Sequence, residues 1–417
     1  MKKKIDKAIL IGINPSDNYI KYKESLEELE NLALACQIIT VDKIIQTVPK
    51  INPKYYMGSG KVLEVKKLAD ILDANIVIFD DPLSPSQLRN LEKDLDVQVY
   101  DRSFLILQIF SMRAQSKQSY LEVSLAQKLY MLPRLVGMRN SLSRQGGSSF
   151  NARGPGEMKL ELDRRKLNRE ISQIKKELEI VKKERLTSLK RRTNNEIPIV
   201  ALVGYTNAGK SSLMNSFINL YGVNKEMVVE KDLLFTTLDT KAKKIKKDDH
   251  APFILIDTVG FIEKLPNELI NAFESTLLDI INADLILHVV DGLNPSTTQI
   301  NFTRDLLKRL KADHITRLLI ITKKDLRTKN PEVLEDYLYI SNKTKEGIKE
   351  LYQAIDSNLY LDSKIYNLTL PFNKGNLFDY LKDNARIINT NYTEEGINLR
   401  VLLTPKQKSL IEKYINT

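Results

Sequence analysis

One octapeptide constrains the fold of this chain more than any other feature. Residues 204–211 read Gly-Tyr-Thr-Asn-Ala-Gly-Lys-Ser, which is a complete G-x-x-x-x-G-K-S motif. An apolar strand pattern at Ile199–Val203 precedes it, and a helical pattern at Ser212–Leu220 follows it. This strand–loop–helix context is the one in which the motif forms a P-loop. The sequence therefore predicts an α/β domain whose sheet presents a phosphate-binding loop.

The residue types in the loop each have a chemical reason. Glycines let backbone N–H groups approach phosphate oxygens, Lys210 supplies positive charge to the β and γ phosphates, and the Ser211 hydroxyl can bind Mg²⁺. The predicted phosphate-side residues are Gly204, Tyr205, Thr206, Asn207, Ala208, Gly209, Lys210, Ser211 and Ser212.

A second motif ends the next buried strand pattern. Phe253–Ile256 is apolar, and Asp257-Thr258-Val259-Gly260 follows it as D-x-x-G. At this distance after a P-loop, Asp257 can hold Mg²⁺ through water and the Gly260 N–H can meet the γ-phosphate. Taken alone, D-x-x-G carries little information, but on a strand end after the P-loop it supports a nucleoside triphosphate site.

A third motif indicates which base is bound. Residues 322–325, Thr-Lys-Lys-Asp, follow the strand pattern Leu318–Ile321 and resemble the N-K-x-D guanine motif of GTPases. The Asp325 carboxylate can accept both guanine N–H groups, a pattern that adenine does not offer. By itself the segment reads as a solvated turn, and its order after the two phosphate motifs favours guanine. The predicted guanine-side residues are Thr322, Lys323, Asp325, Ser341, Asn342 and Lys343, the last three resembling an S-A-K loop.

The catalytic assignment depends on a segment between the P-loop and D-x-x-G. Leu234–Asp239 lies where a first switch belongs, and its T-L-D triplet favours Thr237 over Thr236 as the hydroxyl that closes over Mg²⁺. Phe261 occupies the position where many small GTPases have a water-orienting Gln, so we expect slow intrinsic hydrolysis, with help supplied from elsewhere or by a partner. The predicted catalytic residues are Lys210, Thr237 and Gly260, and the predicted Mg²⁺ ligands are Ser211, Thr237 and Asp257.

The residues outside this P-loop domain, called the G domain below, predict further domains. Strand patterns at Ala8–Ile13 and Ile76–Phe79 alternate with helical patterns at Lys23–Ala35 and Gly60–Leu72, which favours a small α/β domain. Apolar residues at helical spacing from Leu121 to Val181 predict two long helices joined by a Gly/Arg-rich loop, an antiparallel hairpin. The predicted domains are 1–115 (N-terminal α/β), 116–195 (helical hairpin), 196–362 (P-loop G domain) and 363–417 (small C-terminal α/β).

The charge of the chain favours a polyanionic partner. The 417 residues include 64 Lys and Arg against 53 Asp and Glu, a net charge of +11. From Arg134 to Arg165 seven basic residues stand against three acidic ones, around a flexible Gly-rich tip that suits RNA phosphates. A solvated helix face is the alternative for such a run. The predicted RNA-binding residues are Arg139, Arg144, Arg153, Lys159, Arg164 and Arg165.

Several classes of protein are disfavoured. The single Cys36 and the widely spaced three histidines argue against a disulfide framework and a zinc site. No apolar run reaches the length of a membrane span, so we expect a cytoplasmic protein. Gly58-Ser59-Gly60-Lys61 leaves two interpretations, a second nucleotide site or a turn that opens a helix, and its incomplete spacing favours the turn.

Nearly the whole chain resembles the HflX-type GTPases, of the Obg–HflX group of translation factors. The resemblance implies GTP and GDP as ligands with Mg²⁺, and GTPase activity stimulated by ribosomes. It further implies binding of the large (50S) subunit and its rRNA through the N-terminal domain and hairpin tip, and the splitting or rescue of stalled or idle ribosomes under stress. Beyond the G domain, the segments that carry it are Tyr56–Lys61, Leu83–Glu92, Asp101–Arg102, Arg144–Gly147, Arg153–Glu157 and Asp163–Arg165.

The chain departs from the family pattern at a few positions. Thr322 stands in place of Asn, Thr236 in place of the usual Ala, and Asn342 lies in the last guanine loop. The missing amide at 322 predicts weaker affinity, and use of ATP is left open. Asn207 either shapes the P-loop or, as in some GTPases, helps to hold a K⁺ ion against the phosphates.

The expected partner and location follow from the resemblance. We expect a monomer without a membrane span, associated with ribosomes or peripherally with a membrane. The alternatives left open are a GTPase of ribosome assembly or tRNA metabolism, and an RNA-binding protein gated by its nucleotide.

Overall fold

A computed structural model describes residues 6–15, 19–137, 155–194, 197–223, 241–247, 250–262, 264, 274–293, 295–326 and 336–416. The chain is mixed α/β with a P-loop G domain, as predicted. It divides into two compact units: unit 1 contains residues 1–181, 233–235 and 263–274, and unit 2 contains residues 182–232, 236–262 and 275–417.

A parallel sheet forms the core of unit 1. Its strands are β1 (Lys7–Asn14), β2 (Ile39–Thr47), β3 (Ile76–Phe79) and β4 (Gln98–Asp101). The strand order is β2-β1-β3-β4, and each neighbouring pair is parallel. β3 is buried along its whole length, because helices cover a parallel sheet on both faces.

The helices of unit 1 alternate with these strands. They are α1 (Tyr19–Ala35), α2 (Ser59–Leu72), α3 (Pro85–Leu95) and α4 (Arg102–Arg113). Gly58 immediately precedes α2, and Lys61 pairs with Glu64 at 2.6 Å, so the Gly58–Lys61 segment opens a helix. Ser84 and Gln87 form a capping box at the start of α3, with Pro85 in the first turn.

Charged side chains are buried at the carboxyl edge of the unit 1 sheet. Arg102 is fully buried, and its guanidinium pairs with Asp80 and with Glu28, each at 2.6 Å. Lys264, which belongs to unit 1, also pairs with Asp80. Burial by itself would raise the pKa of the Asp80 carboxyl, but Arg102 and Lys264 hold that pKa below its usual value.

The neighbouring strand end holds another buried carboxylate. Asp101 accepts hydrogen bonds from the Tyr130 hydroxyl at 2.8 Å and from Arg134 at 3.0 Å. The Arg134 guanidinium also lies 3.2 Å from the centre of the Tyr130 ring. Arg134, which was counted in the basic run but not among the predicted RNA-binding residues, is therefore engaged in contacts inside unit 1.

Two long helices pack together as the predicted hairpin. They are α5 (Lys117–Gly137) and α6 (Pro155–Asn194), the latter 40 residues long. An ion pair between Lys128 and Glu170, at 2.5 Å, joins the two helices. Their shared apolar cluster has Leu121, Leu125, Ile171 and Ile174 at its centre.

The main sheet of unit 2 is that of the G domain. Its strands are β5 (Ile199–Gly204), β6 (Lys241–Ile245), β7 (Phe253–Asp257), β8 (Leu285–Val290), β9 (Arg317–Ile321) and β10 (Tyr337–Tyr339). The order is β10-β9-β8-β5-β7-β6, and every neighbouring pair is parallel except β6 with β7. Its helices are α7 (Lys210–Tyr221), α8 (Glu274–Ile281), α9 (Thr297–Arg309) and α10 (Ile348–Leu359).

His288 lies in the middle of β8 and belongs to the core. The ring is 1% exposed, and the Arg317 guanidinium lies 2.9 Å from its Nδ1. Burial and the charge of Arg317 lower the pKa of His288 to about 3, so the ring is neutral at pH 7.

The C-terminal residues form a small antiparallel sheet. Its strands are β11 (Lys364–Leu370), β12 (Arg386–Thr393) and β13 (Gly396–Leu403), in the order β11-β13-β12. The accompanying helices are α11 (Gly375–Asn384) and α12 (Pro405–Ile411). Thr404 and Gln407 form a second capping box at the start of α12. Within the described ranges, no helix is both long enough and apolar enough to cross a bilayer.

Candidate nucleotide-binding site

The topology of the G domain brings the sequence motifs together. Because β5, β7, β9 and β10 run parallel, their carboxyl ends lie at one edge of the sheet. The P-loop leaves β5, Asp257 ends β7, Thr322 follows β9, and Ser341 lies just beyond β10. In open α/β sheets this edge is where ligands bind.

The P-loop is shaped for a phosphate by its backbone. Gly209 has a φ of +90° and directly precedes α7, so this residue turns the chain into the helix in a conformation that favours glycine. Lys210 is the first residue of that helix, and its Nζ donates to the carbonyls of Gly204 at 3.0 Å and Tyr205 at 2.6 Å. Burial lowers the pKa of Lys210 to about 8, against the opposing effect of Asp257. A desolvated ammonium is thus held inside the loop.

The side-chain oxygens of Ser211 and Asp257, both of a type that can bind a metal ion, lie side by side next to the Lys210 ammonium. The Ser211 hydroxyl donates to Oδ2 of Asp257 at 2.7 Å, and Asp257 is fully buried at the end of β7. The next residue, Thr258, anchors the strand end by donating to the Leu202 carbonyl at 2.6 Å. A hydroxyl and a carboxylate in this arrangement are ligand types that Mg²⁺ prefers, directly or through water.

The D-x-x-G segment is joined to the P-loop by backbone hydrogen bonds. The Phe261 N–H donates to the Gly204 carbonyl at 3.0 Å, and the Thr206 N–H donates to the Phe261 carbonyl at 2.9 Å. Gly260 lies so close that a Cβ there would approach Thr206 Cγ2 at 2.9 Å and Lys210 Nζ at 3.1 Å. The Phe261 side chain is buried, and its hydrocarbon ring has no polar group that could orient a water molecule by hydrogen bonding.

On the predicted guanine side, a hydrogen bond holds an exposed carboxylate in place. Asp325 is exposed, and its Oδ1 accepts from the buried Ser341 hydroxyl at 2.6 Å. Lys323 adopts a φ of +60°, and its ammonium pairs with Asp291 at 2.6 Å. Lys343 is exposed in the same loop as Ser341. The carboxylate is thus oriented by a partner while the carboxyl group itself stays accessible.

Two further contacts join the guanine loops to the P-loop. The Thr322 hydroxyl donates to the Ala208 carbonyl at 2.8 Å, and the Asn342 amide donates to the Gly209 carbonyl at 3.2 Å. Sequence reasoning placed both residues near the base and missed these contacts. The residues in each pair are more than a hundred positions apart, so only the topology reveals that they meet.

Comparison with known proteins decides the family. Residues 23–111 match the family described as GTP-binding GTPase N-terminal, 113–192 match GTP-binding GTPase Middle Region, and 199–323 match 50S ribosome-binding GTPase. A protein of Caldanaerobacter subterraneus subsp. tengcongensis named GTPase HflX is 39% identical over 413 residues, 98% of this chain and 94% of its own length. This chain belongs to the HflX family of GTPases. The resemblance found in the sequence is confirmed.

A second curated relative and one solved structure also match most of the chain. The GTPase HflX of Escherichia coli K12 is 36% identical over 380 residues, which is 89% of this chain and 87% of that protein. A solved structure, a GTP-binding protein from Sulfolobus solfataricus in complex with GDP, is 21% identical with a TM-score of 0.44. It covers 85% of this chain and 98% of its own. As an HflX GTPase, the chain is an enzyme that binds GTP and GDP and hydrolyses GTP.

The remaining predicted residues of this HflX chain are only partly covered by the structure. Thr237, Arg139, Arg144 and Arg153 lie outside the described residues, as does the side chain of Lys159. Arg164 and Arg165 are exposed on α6, where Arg165 pairs with Glu161 at 2.7 Å. The switch threonine and the tip arginines therefore stay predictions.

Proposed function

We propose that this chain binds the large ribosomal subunit and uses GTP hydrolysis to split or rescue stalled or idle ribosomes under stress. The proposal includes action as a monomer in the cytoplasm, at ribosomes or peripherally at a membrane. The observation that carries it is an exposed basic surface on the hairpin helix, joined in one chain to a GTP site.

Basic side chains outnumber acidic ones on the exposed surface of α6 between residues 163 and 176. Between residues 163 and 176, the exposed charged side chains are six basic ones and a single acidic one, Asp163. The basic members are Arg164, Arg165, Lys166, Arg169, Lys175 and Lys176. Guanidinium and ammonium groups along one stretch of a rigid helix suit an RNA phosphate backbone better than an apolar protein surface.

The site supports hydrolysis by in-line attack of water on the γ-phosphate. The P-loop N–H groups and Lys210 hold the phosphates, the Gly260 N–H meets the γ-phosphate, and Asp325 selects guanine. Mg²⁺ fits beside the paired oxygens of Ser211 and Asp257, which would hold it with Thr237, and it would offset the charge that develops on the phosphates. Because Phe261 cannot orient water, this mechanism leaves room for a ribosome that supplies the missing group.

Stimulation by large subunits is the first test. GTP hydrolysis in K⁺ and Mg²⁺ buffer should rise about 10²-fold when purified large subunits are added, because a positioned water-orienting group contributes about that much. Small subunits at the same concentration serve as the control. Tight GTP binding without stimulation would contradict the proposal, and capture of free tRNA in place of subunits would favour a role in tRNA metabolism.

The basic surface can be tested in the same assay with matched charge. Arg164→Gln, Arg165→Gln and Arg169→Gln combined should raise the subunit concentration needed for half-stimulation about tenfold, and by a smaller factor at higher salt, where the phosphate contacts of the parent contribute less. The control removes the same charge from exposed positions of the G domain, Lys308→Gln, Arg309→Gln and Lys311→Gln combined. Equal effects of the two triple variants would show that only net charge matters.

A monovalent cation at Asn207 is a separate part of the proposal. Asn207 is exposed at the P-loop with a φ of +61°, and its carboxamide oxygen could hold a K⁺ ion against the phosphates. Replacing K⁺ by Na⁺ should then slow basal hydrolysis about tenfold, because a cation there offsets transition-state charge. Asn207→Ala should make the rates in the two salts equal. If the unchanged protein already hydrolyses GTP equally in both salts, Asn207 only shapes the loop.

A further inference from the structure

Two residues that depart from the family pattern converge on one point of the P-loop. A Cβ built on Gly209 would lie 3.3 Å from Asn342 Nδ2, 3.5 Å from Thr322 Oγ1 and 3.6 Å from Thr322 Cγ2. Both side chains therefore lie directly over the residue at which the loop becomes helix α7. Position 322 is where the N-K-x-D motif has an amide, and this chain has a hydroxyl there.

These contacts supply hydrogen-bond donors to carbonyl groups of the P-loop. A P-loop turns its N–H groups inward towards phosphate, so its carbonyls need donors from elsewhere in the protein. Thr322 is fully buried, and its hydroxyl can donate to Ala208 at 2.8 Å or to Val290 at 3.2 Å, but it does not reach Gly209. The Gly209 carbonyl accepts from the Leu213 N–H of helix α7 at 2.9 Å, and the Asn342 amide supplies a second donor to it at 3.2 Å.

The orientation of this amide is determined by its neighbour. With the nitrogen and oxygen of the amide exchanged, the Asn342 oxygen would face the carbonyl oxygen of Gly209, and two acceptors would repel each other. Nδ2 is therefore the atom that faces the loop. An aspartate at this position could not make the contact, because its carboxylate offers no donor when ionised.

The loop that carries Asn342 is itself fixed to helix α7. The Asn342 carbonyl accepts from the Ser216 hydroxyl at 3.2 Å and from the Lys345 ammonium at 2.6 Å, and Lys345 also donates to Ser216 at 2.9 Å. The same loop orients Asp325 through Ser341. Asn342 thus connects the part that recognises the base with the part that binds phosphate.

We propose that Thr322 and Asn342 act as a positioning pair for nucleotide binding, in which Asn342 supplies the amide that position 322 lacks. The pair holds two successive P-loop carbonyls and so fixes the direction of the loop's N–H groups. This inference rests on the proposed nucleotide site and goes beyond it, since it assigns to Asn342 a contact with the protein and not with the base.

A double-variant cycle tests the pair. Asn342→Ala should weaken GDP binding about tenfold, measured with a fluorescent GDP analogue, because the Gly209 carbonyl then loses the hydrogen bond that ties the P-loop to the last guanine loop. The KM for GTP should rise by a similar factor while kcat changes less than about twofold, since the pair positions the loop before chemistry. Thr322→Asn alone should bring no gain, because two amides would then compete for the same carbonyls.

The decisive member of the cycle is the double variant. Thr322→Asn with Asn342→Ala returns the amide to position 322 and leaves a small residue in the last loop, so GDP affinity should recover to within about twofold of the parent. A double variant as weak as Asn342→Ala would overturn the pair, as would an Asn342→Ala protein that binds like the parent.

Two controls keep the result specific. Asn358→Ala also removes an amide that donates to a backbone carbonyl of the G domain, that of Ala354 at 2.8 Å, and it should leave GDP affinity unchanged. The Lys210→Ala variant distinguishes a failure of the nucleotide site from a failure of the positioning pair. If that variant binds GDP normally, the nucleotide site itself is misplaced, and if it loses binding while the cycle is additive, only the positioning pair is wrong.

Discussion

Replacement of Lys210 by alanine is expected to reduce GTP hydrolysis about 10²- to 10³-fold, the largest effect on turnover that we predict. The Lys210 ammonium is buried inside the P-loop, where its donors already reach two carbonyls of the loop. A bound γ-phosphate would share these donors, and its developing charge would be stabilised at low dielectric. No other lysine among the described residues of the P-loop segment could replace this charge.

The chain contains a matched control for this variant. Lys61 ends the sequence Gly-Ser-Gly-Lys, and it lies on α2 in an ion pair with Glu64 at the surface of unit 1. Lys61→Ala should leave hydrolysis unchanged, because that segment opens a helix and has no P-loop turn. Phosphate release should be measured under single-turnover conditions for both variants. Turnover of Lys210→Ala above about a tenth of the parent rate would remove Lys210 from the mechanism.

The parts of the site that could be predicted are those that belong to short motifs of neighbouring residues. The P-loop, D-x-x-G and the guanine motif each follow an apolar strand pattern, and parallel strands put their carboxyl ends at one edge. The order of the motifs therefore predicts that Lys210, Ser211, Asp257 and Asp325 lie at the same edge of the sheet. Which carbonyl the Thr322 hydroxyl reaches depends on strand order and register, and a single sequence does not contain these.

The fold likewise has features that neighbouring residues determine and others that depend on residues far apart in sequence. The strand at 76–79 was predicted to the residue, because a short apolar run bounded by turn residues is a local signal. Helix α3 was not predicted, although Ser84, Pro85 and Gln87 carry a capping-box signature that a local search would find. The position of Arg134 required the structure, since its partner Asp101 lies on a strand 33 residues away.

Replacement of Asp80 by asparagine is expected to lower the stability of unit 1 by about 3–5 kcal/mol, the largest effect on stability that we predict. Asp80 is fully buried, and its carboxylate accepts from Arg102 at 2.6 Å and from the Ser25 hydroxyl at 2.7 Å. The variant leaves the buried guanidinium of Arg102 with Glu28 as its remaining carboxylate partner. A buried charge that loses one of its two carboxylate partners is only partly compensated, and this costs more than the lost attraction between two exposed ions.

Hydrogen exchange can localise this effect within the full chain. Amides of β1 and β3 in unit 1 should exchange about 10²- to 10³-fold faster in the Asp80→Asn protein, whereas those of β5 in unit 2 should keep their rates. Asp73→Asn is the matched control, because Asp73 is 70% exposed and pairs with Lys7 at 3.5 Å, so its loss should cost less than about 1 kcal/mol. Similar exchange in the two variants would contradict a central role for Asp80.

The effect of Asp80 should also depend on pH with a definite sign. Its pKa is lower in the folded chain than in the unfolded chain, so the ionised carboxylate stabilises the fold above the unfolded pKa of about 4. This contribution is lost as the pH falls through the folded pKa, because the carboxylate is then protonated in both states. The difference in exchange between the parent and Asp80→Asn should therefore be full at pH 7 and smaller at pH 3. A difference that stays constant over this range would mean that the ion pair is not its source.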